Sequence, residues 1–132
     1  RADADLRIFR LGAPPSPARE RRLSALRESL RVAVEMGARH VSLVPTRGGN
    51  GALERLAAAG SFSPPDLDEL ETSFTTALAA ATSAVVTLDL WDLERHADCR
   101  ACLPARRARL QRMNLEGSPR SGVACDVCGA GA

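Results

Sequence analysis

Tyrosine is missing from this 132-residue chain, and so is lysine: all 18 basic residues are arginine. Aromatic residues amount to 3%, three Phe and one Trp, so leucine, valine and alanine must fill any core. No stretch approaches the ~18 consecutive apolar residues of a membrane span. The most apolar one, Ala77 to Leu88, is interrupted by Thr82, Ser83 and Thr87 and stopped by Asp89. No apolar signal segment opens the sequence. These absences predict a cytoplasmic protein with no membrane partner. No Gly-Lys-Ser/Thr follows any glycine loop, which excludes a Walker phosphate site. A net charge of +2 is too small to argue for nucleic acid from the whole chain. The exclusive use of arginine fits a GC-rich coding background and carries no chemistry by itself.

Cysteine is scarce but organised. All four cysteines fall in two Cys-x2-Cys pairs, Cys99 with Cys102 and Cys125 with Cys128. Such a turn brings two thiolates onto one metal without strain, and a second turn completes a tetrahedral site. The 22 residues between the pairs slightly exceed the ~15–20 of common zinc modules, a difference that an intervening loop absorbs. The pattern predicts a four-cysteine site holding zinc or an iron–sulfur cluster, which also takes four thiolates. Disulfides suit a secreted chain and a small core in need of staples, and 132 residues with 45% hydrophobic content need none. A redox pair usually follows the first strand of its fold, whereas both pairs here come after the βα pattern. His96, three residues before Cys99, is a spare candidate ligand that four cysteines make unnecessary.

Upstream, apolar periodicity alternates between strand and helix. Leu6 to Leu11 reads as a strand ended by Gly12 and Pro14-Pro15. Ser16 offers an N-cap with Pro17 at the first helical position. Leu23, Leu26, Leu30 and Val34 form one helical stripe, closed by Gly37 at C′. His40 to Val44 is a second strand, and Ala52 to Ala59 a short helix stopped by Gly60. Ser63 is expected to cap a third helix with Pro64 and Pro65 at its start. Its first turn carries Asp66, Asp68 and Glu69, and its stripe is Leu67, Leu70, Phe74 and Leu78. Ala84 to Leu90 reads as a third strand, and Pro104 to Met113 as a basic helix between the cysteine pairs. Strand–helix–strand–helix–strand implies parallel strands with crossover helices. The expected fold is therefore α/β, a partial (β/α) barrel with a four-cysteine tail. Residues 1–95 form the βα units, 96–128 the metal module and 129–132 a disordered tail. Three parallel strands have too few helices to cover both faces. The chain also starts at Arg1 rather than Met. Both features predict a fragment of a longer protein, whose N-terminal remainder is its partner.

In parallel α/β folds, chemistry sits at the C-terminal ends of the strands. Pro45 to Gly51 follows the second strand with three glycines in four residues. Gly48 and Gly49 let a ligand approach the backbone, Arg47 suits a carboxylate or phosphate, and Asn50 suits a base or sugar edge. The structural alternative is a tight turn that needs positive φ. Asp89, at the end of the third strand, suits a ribose hydroxyl, a substrate amine or a base role, against helix capping or an ion pair. Trp91, the lone Trp, reads as core or a lid over the knuckle, and His40 as structural. Arg95, Arg100, Arg106, Arg107, Arg109 and Arg112 cluster around the first cysteine pair. They read as a solvated face, with RNA or DNA backbone as a possible partner.

Two strings carry a family resemblance. They are Val41-Ser42-Leu43-Val44-Pro45-Thr46-Arg47-Gly48-Gly49-Asn50-Gly51, and Asp89-Leu90-Trp91-Asp92-Leu93-Glu94 with the two knuckles, the Arg-rich helix and Met113-Asn114. From about Leu6 to Cys128 the chain resembles the late barrel segment of radical S-adenosylmethionine proteins, in their elongator-type and tRNA-modifying branches. The resemblance implies an enzyme that cleaves S-adenosylmethionine reductively at a four-iron, four-sulfur cluster and abstracts a substrate hydrogen, possible substrates including RNA. The cluster motif of that superfamily, Cys-x3-Cys-x2-Cys, is absent and is expected before Arg1. S-adenosylmethionine and the cluster thus belong to the full-length protein, and this portion is inactive alone. Arg47, Gly48, Gly49, Asn50 and Asp89 become candidate cofactor contacts, and the four-cysteine site becomes structural zinc or an auxiliary cluster. The alternative is a zinc-ribbon module that grips nucleic acid through the Arg helix.

Overall fold

A computed structural model describes residues 4–9, 17–46, 49, 51–80 and 83–131, with the backbone alone for residues 4–9, 17 and 18. In chain order the elements are β1 (Ala4–Phe9), α1 (Pro17–Glu35), β2 (Ala38–Val44), α2 (Ala52–Ala58), α3 (Leu67–Ala80), β3 (Val85–Leu88), a 3-10 turn (Leu93–His96) and α4 (Leu103–Glu116). The strands form one parallel sheet in the order β1-β2-β3. The fold is mixed α/β, and the sheet among the described residues is open.

α1 ends where expected, with Gly37 at φ 94° donating its N–H to the Val34 carbonyl. Its stripe buries Leu26, Leu30 and Ala33. α3 starts later than expected. Asp66, not Ser63, is its cap: the Asp66 Oδ1 accepts the Glu69 N–H at 2.8 Å. The reason is local: Pro64 would be the first helical residue after Ser63, and Pro65 behind it holds Pro64 out of the helical region. α3 then buries Leu67, Leu70, Phe74 and Ala77. α1 and α3 pack against each other as well as on the sheet, so they share one of its faces. A buried ion pair locks them together, Arg22 Nε and Nη2 reaching the two carboxylate oxygens of Glu69, each at 2.7 Å.

Alternation sorts the strand side chains by face. Val41, Leu43, Val86 and Leu88 are buried in the core. His40 and Thr87 lie on the opposite face and share a hydrogen bond, Nε2 to Oγ1 at 2.9 Å.

The free edge of β3 is closed by a side chain. The Asp89 N–H donates to the Leu43 carbonyl, towards β2. Residue 88 therefore points its peptide groups the other way, and Asn114 of α4 takes both. Its Oδ1 accepts the Leu88 N–H at 2.8 Å and its Nδ2 donates to the Leu88 carbonyl at 3.0 Å. One carboxamide does there what a neighbouring strand would do. It also docks α4, whose Leu103, Leu110 and Met113 enter the same core as Leu26, Val41 and Phe74. A single core thus crosses the boundary expected at residue 95.

Candidate metal centre

Each cysteine pair sits on a turn next to a fixed element. Cys99 and Cys102 lie between the 3-10 turn and α4, with Cys102 at the N-cap of the helix. The backbone N–H groups of Cys102 and Ala101 point at the Cys99 sulfur and lower that thiol to about 7. Burial raises the Cys102 thiol to about 11. The second knuckle closes on itself: Cys125 donates its N–H to the Ala130 carbonyl at 2.8 Å, and Gly129 donates to the Cys125 carbonyl at 2.9 Å. Residues 129–131, expected as a disordered tail, are thus part of the knuckle, while Ala132 lies outside the described residues. The Ala130 N–H pulls the Cys128 thiol down, but burial and the neighbouring Cys125 and Cys99 thiols push it up on balance.

The four sulfurs converge. Cys99 Sγ lies 3.9 Å from Cys125 Sγ, and Cys102 Sγ lies 3.8 Å from Cys128 Sγ. All four fall within 4.8 Å of one another. These contacts are nearly twice the ≈2.05 Å of a disulfide. Four thiols at such spacing can hold a metal ion.

The surroundings are charged and ordered. Arg106 of α4 lies in an otherwise apolar stripe with Leu103, Leu110 and Met113 and is buried with them. Its guanidinium pairs with Glu71 and Asp68 of α3, and its backbone N–H donates to the Cys102 carbonyl at 3.0 Å. Those carboxylates hold the guanidinium above its ordinary range although burial opposes them. Arg109 pairs with Glu71 Oε2 at 2.5 Å and donates to the carbonyls of Arg120 and Ser121, the segment that leads to the second knuckle. Arg107 pairs with Glu94, and Arg112 and Arg120 with Glu116. The solvated basic face expected here is, at Arg106 and Arg109, a set of internal ties. Glu71 went unnoticed in the sequence. The signal available was Arg106 itself, a charge on the apolar side of its helix that must find a partner.

His96 is buried, but its ring belongs to a different task. Nδ1 donates to the Pro65 carbonyl at 2.7 Å and fixes the 3-10 turn to the entry of α3. It is not among the four converging ligands. Trp91, expected as core or a lid, is exposed.

The strand-end candidates are only partly placed. Arg47, Gly48 and Asn50 lie outside the described residues. Gly49 and Gly51 have φ of 135° and 84°, which favours glycine on conformational grounds alone. Their amides are already engaged: Glu54 of α2 accepts from the Gly49 N–H at 2.5 Å and from the Gly51 N–H at 2.8 Å. These two amides are thus taken from within the chain, and those contacts, after the Glu54 N–H itself, hold the Glu54 carboxyl below its ordinary range. Asp89 sits at the end of β3 as expected, half-buried, and its Oδ1 accepts the Trp91 N–H at 3.0 Å, shaping the turn. Asp92 follows with φ 55° and pairs with Arg95 at 2.7 Å. Among the described residues no helix is long and apolar enough to cross a membrane. Comparisons with protein-family models, curated proteins and solved structures give no match.

Proposed function

We propose that the four cysteines hold a single zinc ion as a structural centre, and that the chain is the closing βα portion of a radical S-adenosylmethionine enzyme. The sulfur spacing carries the first part. Zinc binds thiolate at ≈2.3 Å in a tetrahedron, which sets ligand sulfurs about 3.8 Å apart. The cross-knuckle distances of 3.8 and 3.9 Å match that figure, and all four sulfurs lie within 4.8 Å of one another. A four-iron cluster spreads its thiolates over four different irons and needs them farther apart. Zinc would supply no redox chemistry here; it would tie the tail to α4 and the sheet edge. Elemental analysis and an absorption spectrum of anaerobically purified protein test this. One zinc per chain with no visible iron–sulfur bands is expected, and iron with sulfide would refute it.

The enzyme reading rests on the sheet. Consecutive parallel strands with the long helices α1 and α3 on one face are the arrangement that a (β/α) barrel wall would use. The opposite face presents His40 and Thr87 to what would be the lumen. In that reading the N-terminal remainder completes the barrel and brings the cluster, and Asp89 faces the reaction from the C-terminal rim. The test is the coding sequence upstream of Arg1. A Cys-x3-Cys-x2-Cys motif is expected there, and a complete gene without it would end the proposal. The nucleic-acid alternative loses support, because Arg106 and Arg109 are committed to Glu71.

A further inference from the structure

Glu71 of α3 is no ligand, yet both halves of the metal centre converge on it. Its Oε1 accepts from Arg106 Nε and its Oε2 from Arg109 Nη1, each at 2.5 Å. Arg106 stands one turn beyond the first knuckle, its N–H on the Cys102 carbonyl at 3.0 Å, and its side chain lines a cleft with Cys99 and Cys128. Arg109 extends to the Arg120 carbonyl at 2.7 and 3.0 Å and to the Ser121 carbonyl at 2.9 Å, on the loop that delivers the second knuckle. The two arginines are three residues apart and so share one face of α4. All three side chains are nearly enclosed, Glu71 13% exposed and each arginine 10%.

We propose that Glu71, Arg106 and Arg109 form a positioning unit for the metal centre. The unit would hold both knuckles at ligand spacing and place a cation beside a site that four thiolates and one divalent ion leave with a net charge of −2. This inference rests on reading the four cysteines as metal ligands. Two physical arguments favour it. A buried ion network adds little net stability compared with apolar packing, so enclosing three charged groups here is poorly explained by folding alone. Groups that hydrogen-bond a metal ligand fix its orientation and tune its electron donation, and losing one typically costs 10–100-fold in metal affinity.

The test is zinc affinity of the chain, by competition with a chromophoric chelator, together with the thiolate-to-metal charge-transfer band of the Co(II) form. Glu71→Gln and Arg106→Gln are each expected to weaken zinc binding about 10–100-fold. Arg106→Gln should in addition shift the Co(II) band to lower energy, because the sulfurs lose the guanidinium cation that lines the same cleft. Arg109→Gln should weaken binding with the band unmoved, and Arg106→Lys should recover part of the loss. Arg31→Gln, on the exposed face of α1, serves as the control with unchanged affinity. If Glu71→Gln does not fold, the contrast between Arg106→Gln and Arg109→Gln decides. Wild-type affinity and an unshifted band in folded Arg106 and Glu71 variants would overturn the proposal. A wild-type chain that takes up no zinc would instead remove the metal reading beneath it.

Discussion

Cys99 and Cys102 stand on one turn and ionise far apart, the first thiol near 7 and the second near 11. The first receives backbone N–H groups, and the second is buried. Metal binding requires thiolates, so bound protons must leave. Zinc uptake at pH 7 should release more than two protons from the four thiols, about one each from Cys102 and Cys128 and only about half of one from Cys99. As pH falls through 7, Cys99 also protonates, so affinity should drop more steeply below that point. Calorimetry in buffers of different ionisation enthalpy measures the count, and a pH-independent affinity between 6 and 8 would contradict it. Asn114 allows a second residue-level prediction. Asn114→Ala strips the partners from two peptide groups of Leu88 and should cost about 1–3 kcal/mol in denaturant unfolding. Asn114→Asp retains an acceptor but loses the donor, so it should recover only part of that.

At the scale of elements, the helices were legible where apolar periodicity was clean. The Leu26 and Leu30 turns of α1 and the Leu70 and Phe74 turns of α3 face the core as their spacing implies. Glu69 broke that legibility. It occupies a first-turn position that suits an exposed acid on dipole grounds, yet it is buried against Arg22. Nothing local could reveal a partner 47 residues away. The same limit applies to Arg106 and Glu71, whose pairing depends on how α4 docks. The cap of α3 was misplaced for a smaller reason, the pre-proline restriction that Pro65 puts on Pro64. A buried pair broken on one side leaves an uncompensated charge. Arg22→Met should therefore destabilise the chain by about 3–5 kcal/mol, while Arg22→Met with Glu69→Leu should regain most of it. Urea unfolding of the three proteins checks the sign and the recovery; equal loss in single and double variants would argue that the pair does not lock α1 to α3.

For the whole molecule, the cysteine-bearing tail and the βα units share one core. Leu103, Leu110 and Met113 share the core of the sheet, and Asn114 closes its β3 edge. The convergence of the four cysteines was readable from their spacing, because two chelating turns need little tertiary information. The continuity of the core was not readable, since it depends on which face of α4 meets which strand. Removing the metal should then affect more than the tail. Chelation is expected to lower the thermal midpoint of the entire chain in one transition, not to loosen residues 117–131 alone. The most direct test of the central claim is X-ray absorption at the metal edge of the purified chain. A single shell of four sulfurs at about 2.3 Å from zinc is the predicted result. A mixed nitrogen–sulfur shell, or a metal–metal shell that signals a cluster, would contradict it.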